Sequence, residues 1–293
     1  MNSFTQKQLR VTLILTGANA VFPGTNSNTL VIDKLRMTAK VQAVARLATQ
    51  ADVRIYGMRQ ADMNALTVAW ANPPVVLDHI VIVEANNTGK AEGWVQVFKG
   101  TIIEAQPDYR AMPDVSFNLL AVTGYFQKIN PVEPVSYPNE VDIGTVVQDM
   151  VAIMGDPWVL VIGDGVEGVL SNPYFSGTMW DQLAQACAAA NCDFYIQGDQ
   201  ILVTAAGRAR GSEPAVVLTP TSGLVGYPMF ERSGLAVTAL FDPAFLCGYA
   251  LQIESDVPNA TGRWYPYSIY HTLESNMPRG SWMSQLQCLR VLA

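Results

Sequence analysis

Residues 159–168, Val-Leu-Val-Ile-Gly-Asp-Gly-Val-Glu-Gly, place an apolar run before the G-x-G-x-x-G spacing that cradles a dinucleotide pyrophosphate. Such glycines bind phosphate when a helix N-terminus follows to meet the charge, and a later strand supplies an acid for the ribose. Here Val169-Leu170-Ser171-Asn172-Pro173 follows, an extended stretch closed by proline, and no strand bearing such an acid comes at the expected distance. The glycines therefore read as a turn between extended segments.

Metal chemistry has little material. His79 and His271 are the only imidazoles, each in an apolar or strand-like run. Cys187, Cys192, Cys247 and Cys288 lack the paired C-x-x-C spacing of a zinc site and the density of a disulfide scaffold. They read as small core residues. Asp and Glu are scattered near turns and caps rather than paired for glycoside cleavage, and G-x-S-x-G, H-E-x-x-H and P-loop patterns are all missing. The sequence predicts no catalytic, cofactor-binding or metal residue, and no enzyme. Trp264, Tyr265, Tyr267, Tyr270 and Trp282 allow one alternative, a sugar-stacking platform in a carbohydrate- or receptor-binding module. Large aromatics on strands more often serve as core or interface anchors.

The elements that hold these residues are mostly strands. The chain has 293 residues, 49% hydrophobic and only 15% charged, enough for about two domains with sizeable cores. Its net charge of −7 is uneven: residues 1–130 carry 12 Lys+Arg against 9 Asp+Glu, and residues 131–293 carry 6 against 16. An acidic half opposes equilibrium binding to nucleic acid, whose affinity comes from clustered Lys and Arg. Lys7 and Arg10, then residues 11–15 and Ala18-Asn19-Ala20, imitate a secretory signal, but the apolar run is short and holds Thr12. No stretch has the length of a membrane-spanning helix, and synthesis in the cytoplasm is expected.

Residues 10–16, 30–45, 53–57, 79–84, 94–105 and 115–123 read as strands, with a short helix at 60–68 ended by Pro73-Pro74. That is the content of a small closed or nearly closed β-barrel. After a proline-rich link at Pro131, Pro134 and Pro138, Asp142 caps a helix with Ile143, Val146, Val147, Met150, Val151 and Met154 on one stripe and Gly155 as its stop. Thr178-x-x-Asp181 opens a second helix as a capping box, and Gly198-Asp199 joins 194–197 to 200–204 as a hairpin. Residues 215–255 return to short strands punctuated by Thr219-Pro220, Gly223, Gly226, Asp242-Pro243 and Gly248. Residues 263–273, with Pro266 expected at an edge or bulge, and 281–292 complete the set.

The run "TP-x-SGL-x-G-x-P", then "V-x-ALF-x-P" and "G-x-x-L-x-I-x-S" at 219–255, resembles the C-terminal half of baseplate hub proteins of long-tailed bacteriophages. "V-R-I-Y-G-M", "A-D-M-N-A-L-T", "F-K-G-T-I", "P-D-Y" and "P-D-V-S-F-N" resemble the N-terminal tube-type domain of the same family. "L-S-N-P-Y-F-S-G-T-M-W-D-Q-L" followed by "D-F-Y-I-x-G-D" is the most specific of these signatures. The family takes in the T4-type and Mu-type central hubs and is related to the hub part of contractile injection spikes. The resemblance implies a mainly β fold with a smaller α/β part: two tail-tube-like β-barrel domains, 1–130 and 211–293, and an inserted helix-plus-hairpin domain, 131–210. It also implies a structural role: a homotrimeric, pseudo-hexameric ring joining the hexameric tail tube to the trimeric central spike, around a channel through which DNA passes. Tape measure and other baseplate proteins are further expected partners. The expected location is the tail baseplate of the virion after assembly in the host cytoplasm.

Overall fold

The computed structural model describes residues 6–17, 20–67, 78–90, 92–211, 216–232 and 234–291. Expectations resting on Ala18, Asn19, Pro73, Pro74 and residues 212–215 lie outside these. Two compact units emerge. The first comprises Met1–Gln42, Thr49–Thr123 and Tyr270–Ser284, and the second Ala43–Ala48, Gly124–Ile269 and Gln285–Ala293.

The first unit contains β1 (Gln8–Ile14), β2 (Thr29–Ile32), β3 (Met37–Val44, whose last residues belong to the second unit), β4 (Gln50–Tyr56), α1 (Gln60–Leu66), β5 (Ile80–Asn86), β6 (Trp94–Asp108) and β7 (Ser116–Val122). The strands run in the order β3-β4-β7-β6-β5-β1-β2, each antiparallel to its neighbours. Period-two patterning explains them. Leu9, Val11 and Leu13 are buried along β1, as are Ala51, Val53 and Ile55 along β4 and Val81, Val83 and Ala85 along β5. The other face carries polar pairs in register: Arg10 stands opposite Glu84, donates to both of its carboxylate oxygens at 2.6 Å, and lies 4.5 Å from the Trp94 ring centre.

In the second unit the chain forms α2 (Tyr125–Ile129), β8 (Pro131–Ser136), β9 (Glu140–Asp142), α3 (Ile143–Met154), β10 (Val159–Ile162), β11 (Val169–Ser171), β12 (Tyr174–Thr178), α4 (Met179–Ala189), β13 (Cys192–Gln197) and β14 (Gln200–Ala205). Both helix starts follow their predicted caps. Asp142 accepts from the Thr145 N–H at 2.9 Å, and Thr178 and Asp181 complete the reciprocal capping box, each cap worth about 1 kcal/mol. The helical stripe Ile143, Val146, Val147, Met150 and Val151 packs with Leu183 and Cys187 of α4 and with Phe194, Ile196, Ile201 and Val203 of the hairpin. Gly198 takes φ 57 in the hairpin turn, which a glycine adopts without steric cost. The stretch expected as a proline-rich link is instead strand β8. Among the described residues it pairs only with β12, so prolines 131 and 134 fit a two-stranded ribbon with an unpaired side.

The second unit continues through β15 (Val216–Leu218), β16 (Leu224–Glu231), β17 (Gly234–Leu240) and β18 (Leu251–Ile253), and ends on β19 (Gly262–Ser275) and β20 (Trp282–Arg290), both divided between the units. A second core gathers Leu218, Leu235, Val237, Ala239, Phe245, Cys247, Ile253, Trp264, Ile269 and Leu286. Pro266 is not on an edge: it lies buried in β19, a strand with neighbours on both sides. The large antiparallel sheet is an open path from β16 to β2, and among the described residues no ladder closes it into a barrel.

Both histidines are buried. His79 Nδ1 accepts from the Thr16 N–H at 3.1 Å, and His271 Nδ1 lies 2.7 Å from Ser284 Oγ. Burial lowers both imidazoles, His271 to about 4. The unfolded chain therefore binds more protons between about pH 6.5 and pH 4, so this stability is complete above pH 6.5 and is lost as pH falls towards 4. His271 alone accounts for about 3 kcal/mol over that window. Urea unfolding at pH 7, 5 and 4 is expected to show this loss, and His271→Asn to remove most of it.

Candidate interaction edge

Strand β16 is built to be an edge. Gly226 takes φ 70, and the pairing with β17 shifts register between Val225 and Met229, as a glycine-centred bulge does. Beyond the bulge, Met229, Phe230 and Glu231 pair with Ala236, Leu235 and Gly234. On β17, Leu235, Val237 and Ala239 are buried, whereas on β16 Tyr227, Met229 and Phe230 are 72%, 67% and 55% exposed. Among the described residues β16 has one neighbour in the sheet, which leaves its other side without a ladder. Soluble edges are usually blunted by lysine, inward charge, proline or a bulge, and β16 carries the last two, with Pro228 buried beside the register shift. Here two aromatics and a methionine occupy the edge, and Glu231 and Arg232 stand exposed at its end.

At the opposite end of the path, β2 also has a single neighbour among the described residues and exposes Val31. The turn after β6 adds a third feature. Tyr109 and Met112 are exposed there, and Arg110 holds the Asp108 carboxyl far below its ordinary range through a side-chain pair at 2.7 Å.

The residues first considered for chemistry fall elsewhere. Gly163, Gly165 and Gly168 lie between β10 and β11, so a strand and not a helix follows them. Burial raises all four thiols, Cys187 to about 12, and leaves them unreactive. Trp264, Tyr265 and Trp282 are buried and Tyr267 and Tyr270 half-buried, which makes them core rather than a stacking platform. Among the described residues no three His, Cys, Asp or Glu side chains gather as a metal site, and no helix is long and apolar enough to cross a membrane. The sequence contains the β16 signal, Tyr227 to Phe230 in an apolar run after Gly226, but periodicity alone does not distinguish an exposed edge from a core strand.

Fold comparison points one way. The structure is similar to a tail protein from Neisseria meningitidis MC58, with TM-score 0.64, 9% identity and 96% of each chain covered. It is also similar to the 43 kDa tail protein of prophage MuSo2 from Shewanella oneidensis, with TM-score 0.61, 9% identity and 96% of this chain against 98% of that one. A third neighbour is an E. coli component of the type VI secretion system, described as structurally similar to the T4 bacteriophage tail proteins gp27 and gp5. It gives TM-score 0.57 at 10% identity, over 87% of this chain and 73% of that one. At these identities the likeness is one of fold. No curated protein matches the sequence. The family described as baseplate hub gp41 matches residues 8–279, nearly the whole of both units, and the chain belongs to that family of phage tail proteins.

Proposed function

We propose that this chain is a non-enzymatic subunit of a trimeric hub ring that adapts a sixfold tail tube to a threefold spike. The observation that carries the reading is the unpaired β16 edge with Tyr227, Met229 and Phe230 exposed, in a member of a baseplate hub family. A monomer gains nothing from such an edge, whereas a ring covers it in every copy. The edge of β16 and that of β2 are different surfaces, and joining unlike surfaces head to tail generates rings when the rotation closes. In this reading each chain supplies two tube-type β domains, near 1–130 and 211–293, so that three copies mimic six. The insert near 131–210 lies between them in sequence. The acidic half, residues 131–293, faces the channel and repels passing DNA, consistent with its 16 Asp+Glu against 6 Lys+Arg.

Negative-stain electron microscopy of the concentrated protein, alone and with tube and spike proteins, tests the reading. Rings with a central hole and threefold or pseudo-sixfold outline are expected. Monomers under every condition, with binding to host cells or glycans instead, would replace it with the receptor-binding alternative.

A further inference from the structure

Strand β10 ends the three-stranded sheet β10-β14-β13. It runs parallel to β14, with the Val159 N–H donating to the Asp199 carbonyl at 2.9 Å and the Gly163 N–H to the Val203 carbonyl at 2.8 Å. Successive residues of a strand turn their backbone groups to opposite sides. Leu160 and Ile162 therefore direct theirs away from β14, to a side where no ladder lies among the described residues.

Apolar side chains border this edge. Val159 and Ile162 are exposed at its two ends. Ile162 Cδ1 lies 3.7 Å from the place a Cβ on Gly144 would take, at the start of α3. The exposed Val169 stands opposite Asp142, the cap of that helix, in the β9–β11 pair. Ile162 and Val169 thus flank one helix start.

Charge frames the patch. Residues 129–207 hold ten Asp or Glu and no Lys, Arg or His. Asp142 and Asp181 are engaged as caps, Asp149 accepts from Tyr137 Oη at 2.6 Å, and Asp193 pairs with Arg46. Asp156 before β10, and Asp164 and Glu167 after it, are exposed. Among the described residues none of these three makes an ion pair, even with the Arg208 side chain lying over Gly165 in the same turn. Shortness protects such an edge in the free chain, for β10 has four residues. The acids decide what it accepts. A second copy of this edge would meet like charge, whereas a basic strand finds a carboxylate at either end.

We propose that β10 accepts an extended, basic segment of a different protein, which adds as a fourth strand beside Leu160 and Ile162. It covers Val159 and Ile162 and sets Lys or Arg against Asp156, Asp164 and Glu167. Main-chain hydrogen bonds supply affinity in this mode and side chains supply specificity. The inference goes beyond the hub reading and does not depend on β16.

The probe is a labelled KKVTVTVKK peptide, compared with EEVTVTVEE, in fluorescence anisotropy with the full chain. The basic peptide is expected to bind saturably and the acidic one about tenfold or more weakly. Ile162→Pro removes an outward N–H and spares the ladder to β14, as proline does on an edge, and should weaken the basic peptide about tenfold. Asp164→Asn with Glu167→Gln, a surface change that leaves folding intact, should also weaken it about tenfold. Amide exchange of the wild-type chain needs no variant: the basic peptide must slow exchange at Leu160 and Ile162. Unchanged exchange at both, or no binding of the basic peptide, overturns the proposal. So does weakening by the charge changes alone with Ile162→Pro folded and binding normally, which would leave only an acidic surface. Self-association of the wild type that Ile162→Pro abolishes would make a second copy the occupant and equally refute it.

Discussion

Met229→Glu combined with Phe230→Glu is expected to give a chain that folds normally and does not assemble. Both side chains are exposed, so the substitutions remove no core contact and the thermal midpoint should stay within about 2 °C of wild type, as for surface changes generally. In the proposed ring the same positions are covered by a neighbour. Each change then removes an apolar anchor and buries an unpaired carboxylate, a loss of about 2 kcal/mol or more per anchor. Together they weaken the contact on the order of a thousandfold, since 1.4 kcal/mol is a factor of ten. Analytical ultracentrifugation over a wide concentration range reads the result. If the wild type forms trimers and the double variant forms them equally well, β16 is not the contact, although the hub reading would survive.

The second large effect is on folding. Gly124 precedes α2 with φ 63, and its carbonyl accepts from the Trp180 Nε1–H at 3.0 Å. Trp180 stands edge-on to Trp158, ring centres 5.4 Å apart. A Cβ on Gly124 would come within 2.5 Å of Trp180 Cζ2 and 3.1 Å of Trp158 Cη2. Gly124→Ala therefore combines a left-handed backbone, costing roughly 1–2 kcal/mol, with overpacking of two indoles, costing roughly 1–3 kcal/mol. A fall in Tm on the order of 10 °C is expected for about 3 kcal/mol in a chain of this size. Gly24→Ala is the control. It shares a positive φ, 76, but has nothing within 4 Å of the added atom, so only the conformational part, about 1 kcal/mol, should appear. Equal losses for the two would refute the indole clamp.

Both experiments target features of unequal legibility. The helices at 143 and 179 were readable residue by residue because their information is local. Asp142 and Thr178 cap, an apolar stripe recurs every three or four residues, and Gly155 stops the first helix. The Gly198-Asp199 hairpin was readable for the same reason, since the turn chemistry and the flanking strands lie within a dozen residues. Strand patterning along β1, β4 and β5 needed only alternation. The family resemblance, carried by short motifs in order, reached further than any of these and agrees with the match over residues 8–279.

What tertiary structure decided is which strands are neighbours. Alternation gives a strand its faces but not its partner, so the open path in place of closed barrels, the central position of Pro266 in β19, and the role of β8 as a paired ribbon could not be deduced from local sequence. The same holds for the edge. Tyr227, Met229 and Phe230 follow Gly226 in an apolar run that the linear pattern assigns to neither core nor surface, and become a candidate contact because, among the described residues, β16 pairs on one side only. Trp264 and Tyr265, for which a stacking platform was the alternative reading, are in the core, as large aromatics on strands usually are. Sequence determined local conformation, composition and the absence of any recognisable catalytic pattern. Exposure depends on pairings across many tens of residues, and only the assembled sheet specifies those.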